Sequence, residues 1–293
     1  MKKCIPLALL SLLFFSCEKD IDFNLKEAVP VLVVDAQIEN GSAPTVVLNK
    51  SLDYFGAINP QVLYNSFVHN AEVIMSNGVT SHTFKEYSVP VGNGFSVYYY
   101  GIDSASLGTA FIGEFNKQYS LTIKSEGKVY TAGTTIPALT KTIDSVWTKP
   151  APPDVDTSRR IFMGRVTDPP GLGNYIRYFT KKNGERFLPG FNSAYNDQVV
   201  DGTTYQGQID PGVDRNLPFP DGDDRFFSRG DTLSFKLSNI DKATYDFWNT
   251  WEFNQQSIGN PFSQPGKVLG NISDGALGAF CGYASQVKTI VAR

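Results

Sequence analysis

The sequence predicts an all-β protein: an N-terminal immunoglobulin-like or transthyretin-like β-sandwich followed by a second β-rich domain that carries one α-helix. Three observations predict this class. Short apolar stretches alternate with polar residues at a period of two, turn residues close nearly every stretch, and 26 Gly and 17 Pro accompany an aromatic content of 13%. Such a composition suits many short strands joined by tight turns.

The first strand is plain in "VLVVDAQIE", where Leu32, Val34, Ala36 and Ile38 alternate with Val33, Asp35, Gln37 and Glu39, the period of a half-buried strand. Asn40-Gly41 turns the chain, and "TVVLNK" completes a hairpin with Val46 and Leu48 on one face. Further strands are predicted at "AEVIMS" before Asn77-Gly78, "SVYYY" before Gly101, "QYSLTIK" before Glu126-Gly127 and "KVYTA" before Gly133. These strands form the sandwich, which ends near Pro137.

The prolines of "TKPAPPDVDTS" make an extended connector. Beyond it, "RRIFMGRVTD" and "NYIRYFTKK" read as strands flanking a hairpin turn at Pro169-Pro170-Gly171, and "DTLSFKLS" alternates Leu233, Phe235 and Leu237 against polar residues. One helix is predicted near 240–256, capped by Ser238 or Asn239 and packing Ile240, Ala243, Phe247 and Trp251 on a sheet. Gly259-Asn260-Pro261 stops it, and "GAFCGYA" and "VKTIVA" close the chain as two strands.

At the N-terminus, Lys2 and Lys3 precede an apolar run that ends at Ser16-Cys17 and turns acidic at once with "EKD". The run is too short for a membrane span, which needs about 20 apolar residues, and it reads as a signal peptide. Its small residue before cysteine resembles a bacterial lipobox, so Cys17 is the expected lipidation site. The expected organisation is a signal peptide over 1–16, a lipidated spacer over 17–30, the sandwich over 31–137 and the second domain over 138–293. "EKD" after the cysteine resembles the signal that carries lipoproteins of the Bacteroidota to the outer face of the outer membrane. The expected location is therefore the outer membrane, lipid-anchored and exposed at the cell surface.

Without the leader, 24 basic residues face 29 acidic ones. An acidic chain without clustered Lys and Arg excludes nucleic acid as a partner, because phosphate binding relies on such clusters. Only His69 and His82 are present, in no paired metal motif, and no Gly-x-Ser-x-Gly elbow exists. No catalytic residue, metal or cofactor is therefore assigned. Asp210, Asp214, Asp221, Asp223, Asp224 and Asp231 gather in one stretch with Arg215, Arg225 and Arg229 interleaved. The expectation is a turn-rich loop in which arginines pair the acids, rather than a calcium loop. Cys281, between Phe280 and Tyr283, reads as a small buried hydrophobe. The candidate ligand-binding residues are aromatic: Tyr98 and Tyr100, which share a strand face, and Trp248 on the helix.

Four segments carry a family resemblance: the lipid-site start "SCEKDID", the strand and turn "VLVVDAQIENG", the crossover "TTIPALTKTIDSVW" and the late run "IGNPFSQPGKVLGNISDGALGAFCGY". Together they resemble a family of Bacteroidota outer-membrane lipoproteins catalogued as domain of unknown function 4249, over nearly the whole mature chain. The resemblance implies a surface lipoprotein often encoded beside TonB-dependent receptors, and it transfers no catalytic residue. The expected function is a non-enzymatic accessory to a TonB-dependent transporter, in ligand capture or partner binding. The alternative is a glycan-binding module using exposed aromatics, and the third reading is a hydrolase with an Asp pair from the 210 to 231 loop.

Overall fold

The computed structural model describes residues 29–53, 59–92, 94–217, 225–257 and 266–293. The signal peptide, Cys17, "NPF" at 260–262, and Asp221, Asp223 and Asp224 lie outside them. The fold is mainly β.

The opening hairpin pairs β1 (Leu32–Glu39) with β2 (Thr45–Lys50), Leu32 opposite Lys50. Leu32, Val34, Ala36, Ile38, Val46 and Leu48 are all buried, the face that the alternation predicts. A short helix, α1 (Pro60–Ser66), follows; Asn59 caps it by accepting the Val62 N–H at 3.0 Å, and Pro60 takes the first turn. Five strands come next: β3 (Glu72–Ser76), β4 (Ser81–Gly92), β5 (Phe95–Ile102), β6 (Lys117–Ser125) and β7 (Lys128–Ile136). β4 was not predicted. It pairs with β3 through Ser81–Thr83 and with β5 from Phe84 onward, so one strand joins the two layers of the sandwich. Between the layers lie Ile38, Leu48, Met75, Leu121, Ile123, Ile136 and Phe280.

The remaining chain builds on the same sheet. β10 (Tyr175–Lys182), β11 (Leu188–Tyr195), β14 (Thr232–Ile240) and β15 (Leu277–Val291) extend it to eleven strands in the order β11-β10-β14-β15-β1-β2-β5-β4-β3-β6-β7. A smaller sheet has β9 (Arg159–Thr167) at its centre, with β8 (Thr142–Pro150) on one side and β12 (Thr204–Ile209) and β13 (Phe227–Ser228) on the other. It covers one face of β10 and β14, burying Phe162, Ile176, Ile209, Leu233, Phe235 and Leu237. On the opposite face α2 (Lys242–Ser257) packs Phe247 and Trp248 over Ile240, Ala279, Cys281 and Tyr283. Cys281 is thus a core residue, and burial pushes its thiol up to about 12.

Three local expectations are corrected. Strands β9 and β10 do not form a hairpin at Pro169-Pro170-Gly171: β9 pairs with β8, β12 and β13, β10 with β11 and β14, and the turn carries the chain from one sheet to the other. The helix starts later than predicted, because Asp241 caps it by accepting the Thr244 N–H at 2.8 Å, while Ile240 ends β14. Its most buried face runs through Thr244 and Glu252, not Ala243 and Trp251, and Asn239 instead exchanges two hydrogen bonds of 2.9 Å with the Lys141 backbone. The two closing strands are one strand of 15 residues.

That strand is shared. Its first half runs parallel to β1, Val34 opposite Gly278, and its second half runs antiparallel to β14 from Tyr283 to Val291. Sheet pairing therefore continues across the Pro137 division. The glycines of the late run make it possible: a Cβ on Gly278 would lie 1.9 Å from the Val34 carbonyl oxygen, and Gly278 has a φ of +93°. Four residues on, past the inward Phe280, a Cβ on Gly282 would lie 2.6 Å from the Thr135 oxygen of β7, where the second layer crosses.

Gly278→Ala is expected to cost at least about 3 kcal/mol in urea unfolding, since both the conformation and the space forbid a side chain. Gly275→Ala, with a φ of +72° and open space around it, is expected to cost only about 1–2 kcal/mol.

Candidate functional site

A cavity of about 590 Å³ opens between the two sheets at the β11 side. Its floor is apolar because both sheets turn their inner faces to it: Ile176, Tyr178, Phe235 and Leu237 from the large sheet, Val166 and Ile209 from the small one. Toward the mouth the lining becomes amides and rings, with Asn192, Asn196, Gln208, Asn249 and Gln256 beside Tyr195, Tyr205, Tyr245 and Phe253. Tyr195 stacks on Tyr178 at 6.3 Å between centroids, and Tyr245 stacks on Tyr175 at 4.8 Å. Among the described residues, Asp210 and Glu252 are the charged ones of the lining, and no Lys or Arg contributes to it.

Two buried ionic groups hold the walls. Under Tyr205, the fully buried Lys141 places Nζ 2.9 Å from Asp168 Oδ1 and 5.6 Å from the Tyr205 ring centre. Asp168 belongs to a trio with Asp197 and Asp201, whose carboxylate oxygens lie within 4.8 Å of one another. Backbone amides take up the rest of the negative charge. Asp197 accepts from Gly173 N and Asn174 N, each at 2.8 Å, Asp201 from Gly171 N at 2.7 Å, and Asp168 Oδ2 from Gly202 N at 3.3 Å. Burial pushes the Asp197 carboxyl up, but the Asn174 and Gly173 donors outweigh it and hold the group below its ordinary range. An ammonium thus sits beside the trio, which ties the 168–174 turn to the segment presenting Val199 and Val200 to the cavity. The trio was illegible in the sequence, because its members meet only when the Pro-Pro-Gly turn crosses between sheets.

The second group fixes α2. Buried Glu252 accepts from the Ser193 N–H at 2.8 Å, from the Ser193 hydroxyl and from the Ala194 N–H at 3.4 Å, and Arg215 lies 3.6 Å away. Arg177, also buried, donates to Ser193 Oγ at 3.0 Å and to the Tyr283 hydroxyl at 3.2 Å, with its guanidinium 3.3 Å from the Trp248 ring centre. Trp248 Nε1 donates to the same Tyr283 hydroxyl at 2.8 Å.

The aromatic residues named from the sequence fall outside this cavity. Tyr100 is only 2% exposed, with its hydroxyl donating to Val68 O at 2.8 Å and accepting the Ala71 N–H, so it offers no open platform. Tyr98 is half-buried between Tyr64, Phe67 and His69 in the sandwich. Trp248 is occupied by Arg177 and Tyr283. The expected pairing among the 210 to 231 residues also differs: Asp214 pairs with Arg186, Arg215 reaches Glu252, and Asp231 accepts from Asn183 and from Ser228 N. The histidines are apart, His82 buried and accepting the Asp103 N–H at 2.9 Å, His69 beside Glu86.

A family profile described as domain of unknown function (DUF4249) matches residues 18–289. The chain belongs to the DUF4249 family. No curated protein matches it significantly. Within this DUF4249 chain the glycine-rich late run is explained by backbone packing against β1 and β7, and none of its described residues lines the cavity.

Two outcomes are expected. Lys141→Met should destabilise the protein by about 3–5 kcal/mol, because Asp168 is left buried without its cation, and adding Asp168→Leu should recover much of the loss; urea titrations of both variants measure this. Burial raises Tyr178 and Tyr195 above the ordinary tyrosine value and Tyr205 to about 12. A raised folded value stabilises below the unfolded value of 10.0 and is lost as pH climbs through the folded one, so stability followed by circular dichroism should fall above pH 10.

Proposed function

We propose that this DUF4249 protein is a surface-exposed outer-membrane lipoprotein, anchored through Cys17, that captures a small ligand in the inter-sheet cavity as a non-enzymatic accessory to a TonB-dependent transporter. The observation that carries the reading is the cavity itself. About 590 Å³ is enclosed between an apolar floor and a rim of amides and rings, the arrangement by which pockets bury a ligand's body and orient it with few polar groups. Within it, Tyr195 and Phe253 are 45% and 60% exposed, so the mouth presents ring faces to an arriving molecule. Supporting the anchored location are the short apolar leader, Ser16-Cys17 and the acidic residues directly after it.

The glycan-binding alternative moves with the aromatics. Its platforms would be Tyr195, Tyr205, Tyr245 and Phe253 at the cavity, flanked by five amide side chains suited to hydroxyl groups, rather than Tyr98, Tyr100 and Trp248.

A thermal-shift screen of the full chain against glycans, peptides and nutrient cofactors tests capture directly. The expected result is a ligand whose affinity falls about tenfold, roughly 1.4 kcal/mol, in each of Tyr195→Ala and Phe253→Ala. Ligands that bind both variants as tightly as the parent would place capture elsewhere. Deleting the gene is expected to lower uptake of that ligand through the neighbouring receptor, and the Phe253→Ala chain, made at normal surface level, should fail to restore it.

A further inference from the structure

A second surface stands at the other end of the molecule. Strand β1 begins at Leu32 opposite Lys50, the Ser51 N–H donates to Val31 O at 2.8 Å, and Asn49 bridges to Phe67 at the exit of α1. The chain thus enters the fold beside α1. The β4–β5 hairpin points the same way: Val46 lies opposite Tyr100 in antiparallel register, so β5 traced back toward Phe95 runs in the direction of Lys50, and the hairpin tip reaches the end where Val31 enters.

The groove at this end is apolar and, among the described residues, lined by no charged one, the nearby Lys50 being paired with Glu126. Leu63 is 48% exposed, Val89 49%, Val91 61% and Val97 38%. Leu63, Tyr64, Phe67, Val91, Phe95 and Val97 line a groove between α1 and the hairpin. No Asp, Glu, Lys or Arg occurs in 60–68, 88–92 or 95–100. Contiguous exposed apolar surface of this kind marks an interaction site. Its position says with what: from Cys17 to Val29 the chain can span at most about 40 Å, so an anchor at Cys17 tethers the fold by this end, within that reach of the bilayer.

We propose that α1 and the tip of the β4–β5 hairpin form a second membrane contact, an uncharged apolar pad that beds into the lipid surface beside the anchor. The proposal rests on the anchored reading given above. The exposed valines and Leu63 enter the acyl boundary, and the Tyr64 hydroxyl, 3.0 Å from that of Tyr98, sits at headgroup level as interfacial tyrosines do. The pad sets orientation as well as affinity. Tyr195 pairs with Ile176 next to the Tyr175–Ile240–Tyr283 row, which is level with Glu39 at the far end of β1, so bedding the pad turns the cavity mouth away from the membrane.

The test uses the native lipidated chain in phosphatidylcholine vesicles with and without nitroxide-labelled lipid. Val91→Cys, Leu63→Cys and the distant Val199→Cys are each labelled with an environment-sensitive dye; buried Cys281 leaves the new thiol as the reactive one. Flotation of the chain with vesicles reads the anchor, and quenching reads the pad. The expected result is a blue-shifted, nitroxide-quenched dye at 91 and 63, an unquenched one at 199, and no change in quenching at high salt, because, among the described residues, no charge lines the groove. A chain that floats with its dyes at 91 and 63 no more quenched than at 199 overturns the pad while leaving the anchor standing, as it would if a transporter protein were the occupant. A chain that does not float overturns the anchor and the pad with it.

Discussion

The structure depends on one close approach of backbone to backbone. Where β15 passes β1, Gly278 sits against the Val34 carbonyl, and Gly282 lets β7 cross at Thr135. With any side chain at Gly278 the last strand could not lie in parallel register beside the first. The sandwich would lose the strand that carries Phe280 and Ala284 into its core, and β14, β10 and β11 would lose their attachment to it. Since α2 and the small sheet cover opposite faces of that extension, the cavity inherits its shape from the same contact.

Charge inside the protein serves position more than stability. A buried ion pair recovers only part of the desolvation cost of its members, whereas losing one member is severe. Lys141 with Asp168, and Arg177 with Glu252 through Ser193, lie where loops or a helix must be held against a sheet edge rather than in the strand-rich core. Both groups border the cavity. Its polar rim is therefore fixed from behind, and its amides also tie the rim together, Gln256 donating to Asn192, Asn196 to Tyr245 and Gln208 to Asp210.

Much of the fold was legible because half-buried strands announce themselves. β1, β2, β6 and β14 alternate cleanly, and their inward residues are those the period picks out. β4 escaped because Pro90 sits within it and its outer half, paired only with β5, is exposed throughout and so shows no in-and-out alternation. α1 carried a signal that went unread, an Asn cap followed by proline at 59–60. The helix α2 was placed correctly along the chain but turned on its axis, since Glu252, a carboxylate, occupies its buried face and apolar spacing points elsewhere. The site was least legible. β11 ("LPGFNSAY") and β12 ("TYQGQI") lack alternation because one side of each borders the cavity, and the acid trio is assembled from two turns that only the crossover between sheets brings together.

The parallel pairing of β1 with β15 also governs when this protein can form. Strand β1 has a hairpin partner at once, yet its other edge stays open until β15, about 240 residues further on, arrives. Contacts so remote in sequence carry a heavy loop-closure cost and slow the search for the native arrangement. Until β15 has been made, β1 keeps one edge unpaired and the main sheet stays in two separate pieces.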